Sequence, residues 1–88
     1  MKEHTADDLR SIWGRNVKTV REGLTLTQSQ LAELSGFHQS TIALIENGDR
    51  WPSEETKHAL AGALRKPIPE LFPYSPTPPP FPGKSEAA

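Results

Sequence analysis

Residues 38–46, His38-Gln-Ser-Thr-Ile-Ala-Leu-Ile-Glu46, carry the side chains with the clearest chemical purpose in this sequence. Ile42 and Ile45, three apart, put one apolar stripe along a helix. That register turns Gln39, Ser40, Ala43 and Leu44 outward, with His38 at the N-terminal end, and none of these is formally charged. A helix laid in a DNA major groove meets hydrogen-bond donors, acceptors and thymine methyls, and these side chains suit that task. Gln39 can pair bidentately with adenine, Ser40 can bond either edge of a pair, and Ala43 and Leu44 can meet thymine methyls. The competing reading is an ordinary solvated face with one outward leucine. The register of the flanking residues favours base contact, most of all for Gln39 and Ser40. His38 fits either a base or phosphate contact or a weak helix cap.

The elements that must position this face are themselves visible. Gln28 to Gly48 reads as two short helices joined at a sharp turn, the layout of a helix-turn-helix. Ala32 is small enough to let the second of these helices cross close over the first. Gly36 sits where the chain must turn, and a positive φ costs glycine nothing. Thr27-Gln-Ser-Gln30 is a capping box that opens the earlier helix, with Leu31, Ala32 and Leu34 expected inward. The later helix is expected from about Gln39 to Glu46, closed by the C-cap pair Asn47-Gly48.

Upstream, Thr5-Ala-Asp-Asp8 is a further N-cap signal. It opens a helix with Leu9, Trp13, Val17 and Val20 on one arc, ending near Gly23. Downstream, Pro52-Ser53-Glu54-Glu55 starts a fourth helix with Ala59, Leu60, Ala63 and Leu64 inward. Arg65 and Lys66 favour its C-terminus, and Pro67 stops it. Pro67 to Phe72 has room for a short helical turn, expected from Pro69 onward. From Pro73 the composition changes, with Pro73, Pro76, Pro78, Pro79, Pro80 and Pro82 in close succession before Gly83-Lys-Ser-Glu-Ala-Ala88. Such a segment is expected to be a disordered, partly polyproline-II tail. The expected organisation is therefore a helical domain over residues 1–72 and a proline-rich tail over 73–88.

Composition narrows the remaining choices. The 88 residues allow one small domain, whose core must be all-helical and tightly packed to suffice. There are no cysteines, so neither disulfides nor thiolate metal sites contribute, which fits a reducing cytoplasm. No apolar run is long enough to span a membrane, and Met1-Lys2-Glu3-His4 lacks the pattern of a signal peptide. Net charge is −1, which on its own counts against nucleic acid, because phosphate contacts supply most of such affinity. Distribution counts for more: Arg10, Arg15, Lys18 and Arg21 fall in a stretch without acids. No catalytic constellation is present, and the glycines at 14, 23, 36, 48, 62 and 83 form no phosphate-binding loop. His4, His38 and His58 show no ligand spacing, so neither a metal nor a cofactor is expected.

Taken together, Trp13-Gly-Arg-Asn-Val17-Lys-Thr-Val20-Arg21, Ile45-Glu-Asn-Gly48, Pro52-Ser53 and Glu70-Leu-Phe72 resemble the Cro/repressor-type (Xre) helix-turn-helix family. The resemblance implies an all-α, compact, five-helix, lambda-repressor-like domain that binds operator DNA as a dimer. It implies phosphate contacts from Gln28, which would also steady the recognition helix, and from Thr41 and Asn47, to which Arg50 in the following loop is a natural addition. It further implies that Arg21 and Glu46 pair with each other in a structural role. Trp51 is expected to pack on the domain rather than touch DNA. The family often has glycine after the fourth helix, where this chain has Arg65.

The expected function is that of a sequence-specific regulator, and of a repressor in particular, binding double-stranded DNA as a homodimer. Two other readings remain open at this point. One is the antitoxin of a toxin–antitoxin pair, with a toxin as protein partner; the other is a protein-interaction module on the same fold.

Overall fold

The computed structural model describes residues 6–74, with side chains from Leu9 onward. Over that span it is all-helical, in the order α1 (Ala6–Gly23), α2 (Gln28–Ser35), α3 (Gln39–Glu46), α4 (Glu54–Leu64) and α5 (Ile68–Leu71). The expected Thr5 cap, the Asp7 and Asp8 side chains and residues 75–88 of the expected tail lie outside the described residues.

The local signals explain most boundaries. Thr27 Oγ1 accepts from the Gln30 amide at 3.0 Å, and Gln30 Oε1 accepts from the Thr27 amide at 2.8 Å, which completes the capping box of α2. Gly36 ends α2 at φ +83°, a left-handed conformation natural to glycine, and its amide donates to Ala32 O. Ser53 Oγ caps α4 by accepting from the Thr56 amide at 3.1 Å.

The core is one cluster drawn from every helix, including Val17, Leu31, Ile42, Ile45, Leu60, Leu64, Leu71 and Phe72. Trp13 sits among them with its ring crossed edge-on by Trp51 at 5.0 Å and by Phe72 at 5.5 Å. Its indole donates to Pro73 O at 2.7 Å. Lys57 Nζ lies 4.5 Å from the centre of the Trp13 ring and bonds Glu54 at 3.1 Å.

Several expectations need correction. Leu34 is 61% exposed, because α2 buries Leu31 and Ala32 and Leu34 lies about 110° from the middle of that arc at helical spacing. On α4 the buried positions are Lys57, Leu60, Ala61 and Leu64, while Ala59 and Ala63 are only half-buried at its flanks. This is the i, i+3, i+4, i+7 stripe of one helix face, with the alkyl chain of Lys57 filling a position that an aliphatic residue would usually hold. The short fifth helix begins at Ile68 rather than Pro69.

Two turns are made without the glycine they favour. Thr25, just beyond α1, has φ +59°, and Arg65, the C-cap of α4, has φ +59°. Such left-handed positions usually carry glycine or asparagine.

Gly14 is more than punctuation. It is buried where α1 passes the end of α3, and a Cβ there would overlap the carbonyl oxygens of Ile45 and Glu46. That contact sets how closely α1 and α3 approach. Gly62, by contrast, is exposed on α4 with nothing near a built Cβ. Gly14→Ala is therefore expected to lower stability by about 1–3 kcal/mol through overpacking against backbone that cannot move aside. Gly62→Ala should raise it by up to about 1 kcal/mol through helix propensity alone. Thermal melts of the two variants check both signs; equal behaviour would mean that the α1–α3 approach is not fixed at Gly14.

Candidate nucleic-acid interface

The site grows outward from a buried ion pair. Arg21 on α1 donates through Nε to Glu46 Oε2 at 2.6 Å and through Nη2 to Glu46 Oε1 at 3.0 Å. Its remaining nitrogen, Nη1, donates to Leu26 O at 2.7 Å. The Glu46 side chain is 1% exposed and that of Arg21 is 9%. The two bonds to Glu46 raise the guanidinium pKa further, against the opposing pull of burial, and Glu22 adds to the same direction. Arg21 therefore stays charged.

A second link runs from the pair to the surface. Gln28 Nε2 donates to Glu46 Oε1 at 3.0 Å, and Gln39 Nε2 donates to Gln28 Oε1 at 2.8 Å. Four side chains, from α1, α3, α2 and α3 in turn, form one chain that starts in the core and ends on an exposed glutamine. Gln28 and Gln39 are the first residues of consecutive helices, and the tight turn at Gly36 brings those two helix starts together. Sequence reading makes Gln28 a phosphate contact that steadies the recognition helix, but names neither Gln39 nor the Arg21–Glu46 pair as its partners; the position of Gln28 and Gln39 as helix starts was the available signal for joining them.

The outer face of α3 presents His38, Gln39, Ser40 and Leu44 exposed, with Ala43 half-buried. Eight residues make about 12 Å of helix, enough to lie across a major groove of about that width. His38 takes the N-cap backbone conformation, but its side chain makes no cap bond. Asn47 is exposed at the opposite end, where its amide closes α3 onto Ala43 O and the Gly48 amide donates to Ile45 O. Thr41 and Arg50 share a cleft of about 330 Å³ between α3 and the start of α4, together with Ser53 and Thr56.

The basic stretch of α1 is divided by the fold. Arg21 is spent on Glu46, and Arg10 lies over the Trp51 ring at 5.5 Å, while Arg15 and Lys18 are exposed. Trp51 is 41% exposed with its ring against Trp13. Among the described residues no group of His, Asp or Glu is placed to hold a metal, and no helix is long and apolar enough to cross a membrane.

Residues 17–71 match the helix-turn-helix family model HTH_3. The chain belongs to this family. HTH_3 is a family of DNA-binding transcription regulators rather than of enzymes. Over 65 residues the chain is 38% identical to "Control protein C.SmaI" of Serratia marcescens, covering 74% of this chain and 77% of that protein. It is 43% identical over 51 residues to the immunity repressor protein of Bacillus phage phi105, covering 58% of this chain and 35% of the repressor. The crystal structure of the restriction-modification controller protein C.AhdI from Aeromonas hydrophila superposes with a TM-score of 0.70 at 33% identity, covering 72% of this chain and 96% of that one. An HTH_3 regulator from Vibrio cholerae, at 24% identity and a TM-score of 0.72, shares the fold.

Within this HTH_3 fold the Arg21–Glu46 pair joins the first helix to the third. Breaking it strands one charge in the core, at a cost of about 3–5 kcal/mol. Arg21→Ala and Glu46→Ala should each lower the melting temperature clearly, and the double mutant should lose less than the two losses combined. Additive losses in that thermodynamic cycle would remove the coupling.

Proposed function

We propose that the chain is an operator-binding transcriptional repressor that acts as a homodimer in the cytoplasm, with α3 as the recognition helix. The observation that carries this reading is the hydrogen bond from Gln39 to Gln28, braced from behind by Glu46 and Arg21. It holds a base-reading amide in one place on an exposed, uncharged helix face before any DNA arrives. Preorganisation of that kind lowers the entropy cost of binding.

On this reading, Gln39 and Ser40 read base edges, Ala43 and Leu44 meet thymine methyls, and His38 contacts the base nearest the helix start. Gln28, Thr41, Asn47 and Arg50 hold phosphates. Gln28 does so with its second amide hydrogen and with the open backbone amide at the start of α2. Thr41 and Arg50, gathered in one cleft, suit a single phosphate or two adjacent ones. The likeness to control and repressor proteins favours this regulator over an antitoxin or an interaction module.

Selection from randomised duplexes, followed by binding profiles at two salt concentrations, tests the proposal. The selected site should contain two half-sites related by a two-fold axis and centred about 34 Å apart, one turn of DNA. Gln39→Ala should lose about 1–3 kcal/mol of discrimination at one base pair of each half-site. Arg50→Ala should weaken all sequences evenly and reduce the salt slope by about one ion per protomer. Recovery of no preferred sequence, or a Gln39→Ala profile identical to the parent, would sink this assignment.

A further inference from the structure

The loop that carries Arg50 is held in place by side chains rather than by its own backbone. The Asp49 amide closes the end of α3 by donating to Leu44 O at 2.8 Å, and α4 opens at its Ser53 cap. Between those points, among the described residues, no backbone–backbone hydrogen bond fixes Arg50 or Trp51. The local stability of such a stretch depends on what its side chains pack against.

That packing comes from α1. Gly48 lies against Ser11, where an added Cβ would come within 3.2 Å of the hydroxyl oxygen. Arg10 and Trp13, three apart on the helix, share a face, and both meet the Trp51 ring. The Arg10 guanidinium lies 5.5 Å from the ring centre. The Trp13 ring stands steeply across it, at 77° with the centres 5.0 Å apart. Indole is the best aromatic face for a cation, and edge-on pairs are a favoured aromatic geometry. With Pro52 buried next to it, the Trp51 ring is anchored although partly exposed.

The same ring lines the cleft that gathers Arg50, Thr41, Ser53 and Thr56. Trp51 thus ties α1 to the wall of the proposed phosphate site. Arg50 itself is exposed, so its long side chain binds at lower entropy cost when the backbone beneath it is restrained. We infer that Trp51 is a positioning residue for the phosphate grip: clamped by Arg10 and Trp13, it holds the loop so that Arg50 stands beside Thr41. The inference rests on the operator-binding proposal and adds to it the support of its loop contact.

Salt-dependent affinity is measured for the parent, Arg50→Ala, Trp51→Ala, Trp51→Leu, Trp51→Phe and the double variant Arg50→Ala, Trp51→Ala. The probes are the operator duplex recovered by selection and the same duplex with one base pair changed opposite α3. Thermal melts show which variants are folded at the assay temperature. Arg50→Ala should reduce the salt slope by about one ion per protomer. Trp51→Ala and Trp51→Leu should lose most of that ion, since neither offers Arg10 an aromatic face, while Trp51→Phe should keep it. The double variant should match Arg50→Ala alone, because a support has no effect once its arginine is gone. Preference between the two duplexes should stay that of the parent throughout. A residue needed for stability alone would lower the melting temperature and leave the slope unmoved.

A folded Trp51→Ala or Trp51→Leu variant with the parent's slope overturns the inference. Equal slopes for Trp51→Phe and Trp51→Ala do so too, as does a double variant that loses more than Arg50→Ala. If Trp51→Ala and Trp51→Leu are both unfolded, Trp51 serves the fold and the inference is likewise overturned. Should Arg50→Ala keep the parent's slope, or the selection recover no preferred duplex, the operator-binding proposal fails at that point and this inference with it. If Arg50→Ala lowers the slope and no Trp51 variant does, only the role of Trp51 is wrong.

Discussion

The placement of α3 depends on one buried charge pair. Arg21 reaches from α1 with three of its nitrogens engaged, two sites on Glu46 and one on the Leu26 carbonyl between α1 and α2. Glu46 answers from the last residue of α3 and also receives Gln28 from the first residue of α2. Three helices and a connecting loop therefore meet at a single ion pair. A buried pair of this kind adds little net stability relative to apolar packing, because both ions must leave water. What it adds is specificity of arrangement: a shift or rotation of α3 would strand a guanidinium or a carboxylate in the core.

That constraint matters because α3 has little stability of its own. An isolated helix of eight residues is well below the length that persists in water. Ile42 and Ile45 supply its apolar anchor, and Gly14 lets α1 come against its final carbonyls. Its N-cap is His38, whose side chain leaves the first amides of the helix without a capping bond. A serine there would satisfy one of them and stabilise the helix by roughly 1 kcal/mol. The helix is held by tertiary contacts at its C-terminal end and inner face, while its N-terminal end stays open to a ligand.

The sequence made the helices legible because their signals are local. The capping box at Thr27, the turn at Gly36 and the Pro52-Ser53 start each involve residues within one turn of each other. What escaped was non-local. Leu34 was expected inward because it is apolar, but three-residue spacing alone does not say which arc of a short helix a neighbour will cover. Lys57 was overlooked because a lysine rarely reaches the core, and only the Trp13 ring and Glu54 make its burial tolerable. Gly14 gave no signal at all, since its neighbours in space lie some thirty residues away. The face of α3 could be read from Ile42 and Ile45, and the steadying role of Gln28 from the family resemblance, whereas its particular partner Gln39 needed the geometry of the turn.

Charge takes a different meaning once the fold is known. Arg21 and Lys57 are internal and matched by Glu46 and Glu54, so they add nothing to a field that would draw in phosphate. An overall charge of −1 then leaves few cations to grip DNA of arbitrary sequence. On the proposed reading this weakness is useful, because little affinity is common to all sites and discrimination rests on the uncharged face of α3. A single protomer would hold its half-site weakly. Two protomers on adjoining half-sites convert the second contact into an intramolecular one, which multiplies affinity without new chemistry. Operator occupancy would then climb steeply with protein concentration.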